Sequence, residues 1–249
     1  MGSKTRGGRY GGSLENRLRF LRNVIGKLRA AYGHRLTIAV RMNVFDGVPF
    51  GCAFETPYPY GWGVDAADPL REDLREVKRA IASLQEWGAE LFSVSMGSPY
   101  YNPHVVRPFE KPDEGNYEQP EHPLTGVDRH FRIAADLQRA FPDLPMVGAG
   151  YSCLQKYAIN AGAHNIAAGG IRFLGLGRGA LAYPDFARDA LEKGGLDERR
   201  CCKTLTYCTY LMRQKNHPLG QFPTGCPPFD KEGYGEVIKL ARHASGRAR

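Results

Sequence analysis

Apolar residues near the start of the chain recur at alternating steps of four and three, the spacing of one helix face. The pattern predicts a helix over 14–32, with Ser13 as N-cap and Gly33 as terminator; its apolar positions are Leu14, Leu18, Leu21, Ile25, Leu28 and Tyr32. A second helix is predicted to begin at the cap Asp68 and stop at Gly88. Similar patterns predict further helices near 125–141, 153–168 and 184–193.

Short apolar runs alternate with these helices, at 36–42, 91–96, 145–150 and 171–177. Continuous apolar strands alternating with helices indicate an α/β fold with a parallel sheet covered by helices. Two long loops, 43–67 and 97–124, follow strands, at the end where barrel and open-sheet enzymes carry their chemistry. From Cys201 the pattern becomes irregular, with one short helix predicted near 234–244.

Composition narrows the function classes. An apolar fraction of 42% over 249 residues is sufficient for a packed core. Residues 1–35 carry nine Lys or Arg against one acid, an excess equal to the net charge of +8. Without a nucleic-acid motif, this charge favours a solvated helix face over a nucleic-acid or membrane surface. No run of about 20 apolar residues or signal peptide is found, and six cysteines in so long a chain suit a reducing cytoplasm.

Glycine-rich turns end the last two predicted strands. Gly148, Ala149 and Gly150 end one, and Gly177 and Arg178 follow the other. Glycines admit a ligand close to the backbone, and an arginine fork suits a phosphate, as in the phosphate site common in (β/α)₈ barrels. The alternative is that the glycines only permit tight strand-to-helix turns. Arg41 ends the first strand, where a charged side chain faces either a site or a salt bridge.

Five segments carry a family resemblance, because their order is that of the Old Yellow Enzyme family: 10–20, 39–41, 94–103, 148–152 and 175–178. They most resemble its branch related to 2,4-dienoyl-CoA reductase and other NADH:flavin oxidoreductases. The resemblance implies that residues 1–249 are one C-terminal portion of an FMN-binding (β/α)₈ barrel, a half barrel of strands five to eight. Residues 1–12 would be the loop after a missing fourth strand, and 201–249 an irregular Cys- and Pro-containing tail.

The resemblance also implies a cofactor and its contacts. Arg41 matches the arginine beside the N1/C2-carbonyl edge of the FMN ring, where a cation stabilises the reduced flavin. Gly148, Ala149, Gly150, Gly177 and Arg178 match the grip on the FMN phosphate. Tyr100 and Tyr101 could line the substrate pocket, although simple packing explains two tyrosines in a Pro-rich loop equally well.

The sequence also departs from that family. Its reductase branch holds an iron–sulfur cluster on four closely spaced cysteines. Cys202, Cys208 and Cys226 remain, but Leu205 stands where a further cysteine would complete the spacing. We therefore expect partly buried structural thiols and no metal. The substrate-anchoring histidine and the tyrosine proton donor of the family lie on or before its fourth strand, so no catalytic residue is assigned.

Two functions from different classes follow. The first is a truncated NAD(P)H oxidoreductase that uses FMN to pass hydride to an activated C=C or similar acceptor. The second is a non-catalytic half-barrel remnant, or a subunit that needs a separate N-terminal half, because a half barrel exposes two strand edges. Pairing with a second copy or with such a half is expected. A sugar-phosphate barrel enzyme and a nucleic-acid binder have less support in these motifs.

Overall fold

A computed structural model describes residues 6–47, 61–99, 101–110, 117–218 and 220–244. The chain divides into two compact units. The first comprises residues 1–106, 129–149 and 165–174, and the second comprises 107–128, 150–164 and 175–249. Among the helices described, none combines the length and apolarity needed to cross a membrane.

The first unit contains a four-stranded parallel sheet in the order β1-β2-β3-β4. The strands are β1 (Ala39–Asn43), β2 (Leu91–Ser95), β3 (Met146–Gly148) and β4 (Phe173–Leu174). Each overlaps a predicted apolar run, β1 extending one residue beyond its run to Asn43, and strands alternate with helices as predicted. The α/β class is therefore confirmed. The described strands form an open sheet, consistent with part of a barrel.

One face of this sheet packs against helices. The core on this face is formed by every second strand residue and by apolar residues of three helices. These helices are α1 (Leu14–Tyr32), α2 (Arg75–Glu86) and α4 (Pro123–Ala140). From the strands, Met42, Phe92, Val94 and Met146 enter the core. This alternation places the neighbouring strand residues on the other face.

Among the described residues of the first unit, no comparable core cluster lies on the other face of the sheet. The register aligns Arg41, Ser93, Val147 and Phe173 in one row across the four strands. Arg41 is exposed, Ser93 and Val147 are half-buried, and the Phe173 side chain is 54% exposed. Parallel sheets are normally buried on both faces. This face is therefore unusually exposed within the described part of the first unit.

Helix α1 begins and ends where the sequence predicts. Ser13 Oγ accepts a hydrogen bond from the Asn16 amide at 3.3 Å, and the Gly33 amide donates to the Arg29 carbonyl. Leu18 and Ile25 are buried, whereas Leu28 and Tyr32 of the same predicted face are exposed. A 19-residue helix is roughly 28 Å long and a five-residue strand roughly 17 Å, so β1 is too short to cover the whole face.

Arg29 fastens the connections that lead into β1 and β2. Its Nη1 donates to the carbonyls of Gly33 and Leu36, both at 2.9 Å. Its Nη2 donates to the Gly88 carbonyl at 2.5 Å and lies 2.7 Å from Glu90 Oε2. One guanidinium thus joins the turn before β1 to the turn before β2.

The start predicted for α2 was wrong, because the helix begins at Arg75 instead of after Asp68. The Asp65 carboxylate accepts from the amides of Ala67 and Asp68, and Asp68 accepts from the amide of Leu70. Aspartate side chains that bind the backbone two residues ahead favour turns over helix. The predicted cap therefore forms a turn.

The second unit is mainly helical. A 3₁₀ helix (Tyr151–Tyr157), interrupted at Gln155 with φ +52°, precedes α5 (Ala158–Ala167), where a single helix was predicted. Next come α6 (Arg178–Ala182), which was not predicted, and α7 (Phe186–Lys193). The remaining helices are α3 (Pro103–Val106), in the loop after β2 at the end of the first unit, a 3₁₀ turn (Glu198–Arg200), α8 (Tyr207–Arg213) and α9 (Lys231–Ala244).

The tail predicted as largely irregular contains packed helices. Tyr210 and Leu211 on α8 and Ile238 and Ala241 on α9 form a small core with Phe222. The apolar positions of α8 span only seven residues, too few for the helical period to stand out in the sequence. Only the second of these helices was predicted.

Candidate functional site

Arg41 lies in the first unit, on the partly uncovered face of the edge strand β1. It borders a cleft of about 550 Å³ whose walls include Phe20 and Leu21 of α1 and Val40 and Met42 of β1. The exposed guanidinium and the cleft are both at the sheet edge. Arg41 can therefore meet an incoming ligand or segment, and its predicted contact with a flavin ring stays a prediction.

Tyr100 lies outside the described residues. Tyr101 is described, and its side chain is 47% exposed in the loop after β2. The next residue, Asn102, is 3% exposed and fastens this loop. Its Oδ1 accepts from the Ser98 amide at 2.6 Å, and its Nδ2 donates to the carbonyls of Asp46 and Gly47 at 2.7 and 3.0 Å.

Asn102 therefore joins the loop after β1 to the loop after β2 at the carboxyl ends of the strands. Asn102 lies in the segment 94–103 that carries part of the family resemblance, but no role was predicted for it. A buried asparagine beside a proline is a weak signal in one sequence, because its partners lie 55 and 56 residues away. This tie holds the backbone that carries Tyr101, and the predicted contact of Tyr101 with substrate remains a prediction.

The glycines predicted to hold phosphate differ in their surroundings. In the first unit, Gly148 is a buried strand residue paired with Leu174, and Ala149 follows it. In the second unit, Gly150 has φ +94°, which L side chains rarely adopt, so its backbone itself requires glycine. At Gly177, whose φ is −82°, an added Cβ would meet no described atom within 4 Å. The space beside the Gly177 backbone is therefore open, and packing among the described residues does not require a glycine at this position.

Within the second unit, the turn after Gly150 contacts the turn after Gly177. The Gly179 amide donates to Ser152 Oγ at 3.1 Å, and an added Cβ on Gly179 would lie 3.0 Å from the same oxygen. This amide is therefore already used, and it is not a free donor for a phosphate. The two turns are in contact, the predicted phosphate binding stays a prediction, and the main donor to a phosphate here would have to be a side chain.

Arg178 supplies such a donor. Its Nη2 donates a short hydrogen bond to the Pro108 carbonyl. Its Nη1 is shielded from solvent and has no acceptor among the described residues. Burial lowers the pKa of Arg178, and the thiols of Cys202 and Cys153 offset part of that effect. One arm of the guanidinium is thus fixed, and the other is unpaired.

Arg107, which the sequence analysis did not single out, belongs to the same part of the second unit. Its Nε and Nη2 are shielded and lack acceptors among the described residues. Burial and then the positive charges of Arg178 and Arg213 lower the pKa of Arg107 to about 10. Its only sequence signal is a cation before a proline in a long loop, which is too common to be specific.

The cysteines of the second unit are free thiols in the structure, namely Cys153, Cys201, Cys202, Cys208 and Cys226. Burial raises the pKa of Cys153 and Cys202, and that of Cys226 to about 11. A cysteine binds a metal ion through its thiolate, and a raised pKa disfavours that form. Within the described ranges, no group of three or more His, Cys, Asp or Glu residues has a geometry suited to a metal ion.

Comparisons with known proteins give a likeness of fold. No protein-family model and no curated protein matches the chain. A solved structure of 6-hydroxypseudooxynicotine amine oxidase from Pseudomonas geniculata N1 matches with a TM-score of 0.53 and 22% identity. The match covers 83% of this chain and 25% of that one.

A second solved structure, an old yellow enzyme homologue from Zymomonas mobilis, matches with a TM-score of 0.44 and 18% identity, over 78% of this chain and 41% of that one. This chain thus spans about a quarter of the length of the amine oxidase and under half of the second protein. At these identities the amine oxidase match supports the fold alone, an α/β arrangement shared with part of a larger oxidase.

Proposed function

We propose that the second unit binds the phosphate group of FMN and that the chain is part of a flavin-dependent NAD(P)H oxidoreductase. The observation that carries the proposal is Arg178, whose shielded Nη1 lacks an acceptor beside a pair of glycine turns tied by Ser152 and Gly179. A buried guanidinium nitrogen without an acceptor costs free energy, which an anionic oxygen would recover. The open space at Gly177 admits such a group close to the backbone.

Two further observations favour a flavin over another phosphate ligand. The ordered segments 10–20, 39–41, 94–103, 148–152 and 175–178 resemble Old Yellow Enzymes, and the fold resembles part of a protein named as an amine oxidase. When bound, FMN supplies hydride transfer from NAD(P)H to an activated C=C or similar acceptor. The residues of this chain would hold its phosphate: Arg178 by charge and hydrogen bond, and Gly177 by leaving room.

The test is binding, since it does not depend on turnover. The purified chain is titrated with FMN and with riboflavin, which lacks the phosphate, while the melting temperature and the visible flavin spectrum are recorded. We expect FMN to raise the melting temperature more than riboflavin, because a ligand that binds only the folded state stabilises it. Arg178→Gln should weaken FMN binding by about tenfold or more, the effect of losing a charged hydrogen bond.

Arg172→Gln is the matched control, because Arg172 is an exposed arginine six residues earlier. It should change the affinity for FMN by less than about twofold. The loss expected for Arg178→Gln is about tenfold or more, which corresponds to about 1.4 kcal/mol. Equal affinity for FMN and riboflavin, or no flavin binding at all, would contradict the proposal for this chain.

A second candidate is a subunit whose sheet is completed by a separate βα segment. The partly uncovered row from Arg41 to Phe173 and the two sheet edges favour it. We commit to a segment of another chain with an acidic helix, because residues 1–35 carry the excess of positive charge and a second copy would repeat that charge. Stable pairing of two purified copies at low salt would contradict that choice.

A further inference from the structure

Two half-buried arginines in the second unit, Arg107 and Arg178, have shielded donor nitrogens without acceptors among the described residues. Arg178 Nη1 and the Nε and Nη2 atoms of Arg107 are shielded from solvent without an acceptor among the described residues. Arg178 also binds the carbonyl of Pro108, the residue that follows Arg107 in the chain. The two guanidiniums are therefore linked through one short piece of backbone.

This arrangement is unfavourable without a ligand. Buried charged groups are normally paired, and a shielded donor without an acceptor costs free energy. Two neighbouring cations add mutual repulsion, which the pKa of Arg107 records: burial lowers it first, and the charges of Arg178 and Arg213 lower it further. The groups that offset these effects most are Cys208 and Tyr117, which are neutral near pH 7, and none of them is a carboxylate.

We infer that Arg107 is the second cation of the phosphate site at Arg178, and that this site takes a terminal phosphomonoester in its dianionic form. Two guanidiniums with three unpaired donor atoms match the charge and the acceptor oxygens of such a group. A phosphate within the pyrophosphate of a dinucleotide carries one charge and is substituted on both sides, by an ester bond and by the anhydride bond to the other phosphate. The inference rests on the proposed function and adds Arg107 as the residue by which the site distinguishes a mononucleotide from a dinucleotide.

Arg107 would act as a binding residue that favours a dianionic ligand over a monoanionic one. A structural arginine stabilises the empty protein, whereas an unpaired buried cation destabilises it and stabilises only the loaded form. When the charge of Arg107 is removed, the two roles predict opposite changes in the stability of the ligand-free protein. The difference makes the test independent of any enzymatic activity.

The experiment uses the full chain and its variant Arg107→Met, with inorganic phosphate, FMN and FAD as probes in thermal unfolding and in equilibrium binding. Without ligand, the variant should melt at or above the temperature of the wild type. The rise in melting temperature that phosphate gives the wild type should be lost, and the affinity for FMN should fall by about tenfold or more. The wild type should bind FMN more tightly than FAD.

Arg213→Met is the matched control, because Arg213 is exposed and contributes positive charge near Arg107. It should weaken phosphate binding by less than about threefold, as a screened surface charge does. Arg107→Lys, which keeps the charge and loses the planar fork, should retain part of the phosphate response.

Several results would overturn the inference. Arg107→Met could melt well below the wild type or fail to fold, which would make Arg107 structural. It could keep the full phosphate response, or chloride at matched ionic strength could protect the wild type as well as phosphate does. FAD could bind as tightly as FMN. If instead Arg107→Met abolishes a phosphate response while FMN adds nothing beyond inorganic phosphate, the dianion site stands and the proposed flavin function fails.

Discussion

At the scale of single residues, buried charges follow two patterns in this protein. Asp189 on α7 is 1% exposed and is surrounded by partners. It accepts from the Tyr183 hydroxyl and lies 2.9 Å from Lys193 Nζ and 3.2 Å from Arg200 Nη1. Asp189 Oδ1 and the shielded nitrogens of Arg107 all lack a hydrogen-bond partner among the described residues, but cations lie beside Asp189, whereas the charges beside Arg107 are those of the like-charged Arg178 and Arg213. The first pattern suits a structural role, and the second suits a binding site.

The paired state of Asp189 gives stability a pH dependence. The hydrogen bond from Tyr183, and then that from Lys193, lowers the pKa of Asp189 to about 2 from the ordinary 3.8. Because the folded state holds the carboxylate charged, this contribution is present above about pH 4 and is lost as the pH falls through about 2. We expect denaturant midpoints to fall across this range.

Asp189→Asn should be less stable than the wild type at neutral pH and should lose less stability on acidification. Tyr183→Phe removes the hydrogen bond that lowers the pKa of Asp189 most. On acidification, this variant should therefore begin to lose stability at a higher pH than the wild type. Midpoints measured as a function of pH check both variants. Parallel curves for wild type and Asp189→Asn would exclude this role of Asp189.

At the scale of elements, capping and apolar spacing made α1 predictable. Ser13, the apolar period and Gly33 all indicate the same boundaries, and the structure has them. The start of α2 was less predictable, because Asp68 can cap a helix or bind its own turn. Helix α6 was missed because it has only five residues, and its glycine-rich sequence also fits a loop.

Ser13→Ala tests the cap of α1. Its Oγ accepts from the Asn16 amide, and loss of that acceptor should lower the free energy of unfolding by about 1 kcal/mol. Ser13→Asp keeps an acceptor at the same position and should restore most of the stability. Chemical denaturation of the three proteins gives the comparison. An alanine variant as stable as the wild type would show that the cap contributes little.

The candidate site was only partly predictable at this scale. Gly150, Gly177 and Arg178 were predicted from their position after apolar strands, and in the second unit their turns meet through Ser152 and Gly179. Arg107 was not predicted, because its relation to Arg178 spans about 70 residues and depends on how the loop after β2 folds. A single sequence carries no signal for such a pairing of two loops.

At the scale of the whole molecule, the partly uncovered sheet face should govern association. Phe173 is 54% exposed in the row that begins at Arg41, and the chain carries a net charge of +8. Apolar attraction between copies is opposed by charge repulsion, which salt screens. We expect the isolated chain to be monomeric at about 0.01 M salt and to self-associate at about 1 M, as the Debye length falls from ~30 to ~3 Å.

Phe173→Lys should suppress this association at high salt, because it replaces the exposed apolar side chain at the β4 end of the row with a charge. Leu191→Lys is the matched control, since it adds the same charge at an 87% exposed position on α7, which is not a member of the row. Sedimentation velocity measures the oligomeric state of all three proteins. Equal suppression by both variants would attribute the effect to net charge instead of to this face.

The four contacts of Arg29 have a consequence for how the first unit could evolve or be engineered. They lie where the chain enters β1 and β2, whereas the loops held by Asn102 leave from the opposite ends of these strands. Residues that fasten the scaffold are thereby separated from residues that a new ligand would meet. Changing exposed positions of the loop after β2, such as Tyr101, leaves every partner of Arg29 in place, so specificity can change with little loss of the fold as long as the buried Val105 and Phe109 are kept.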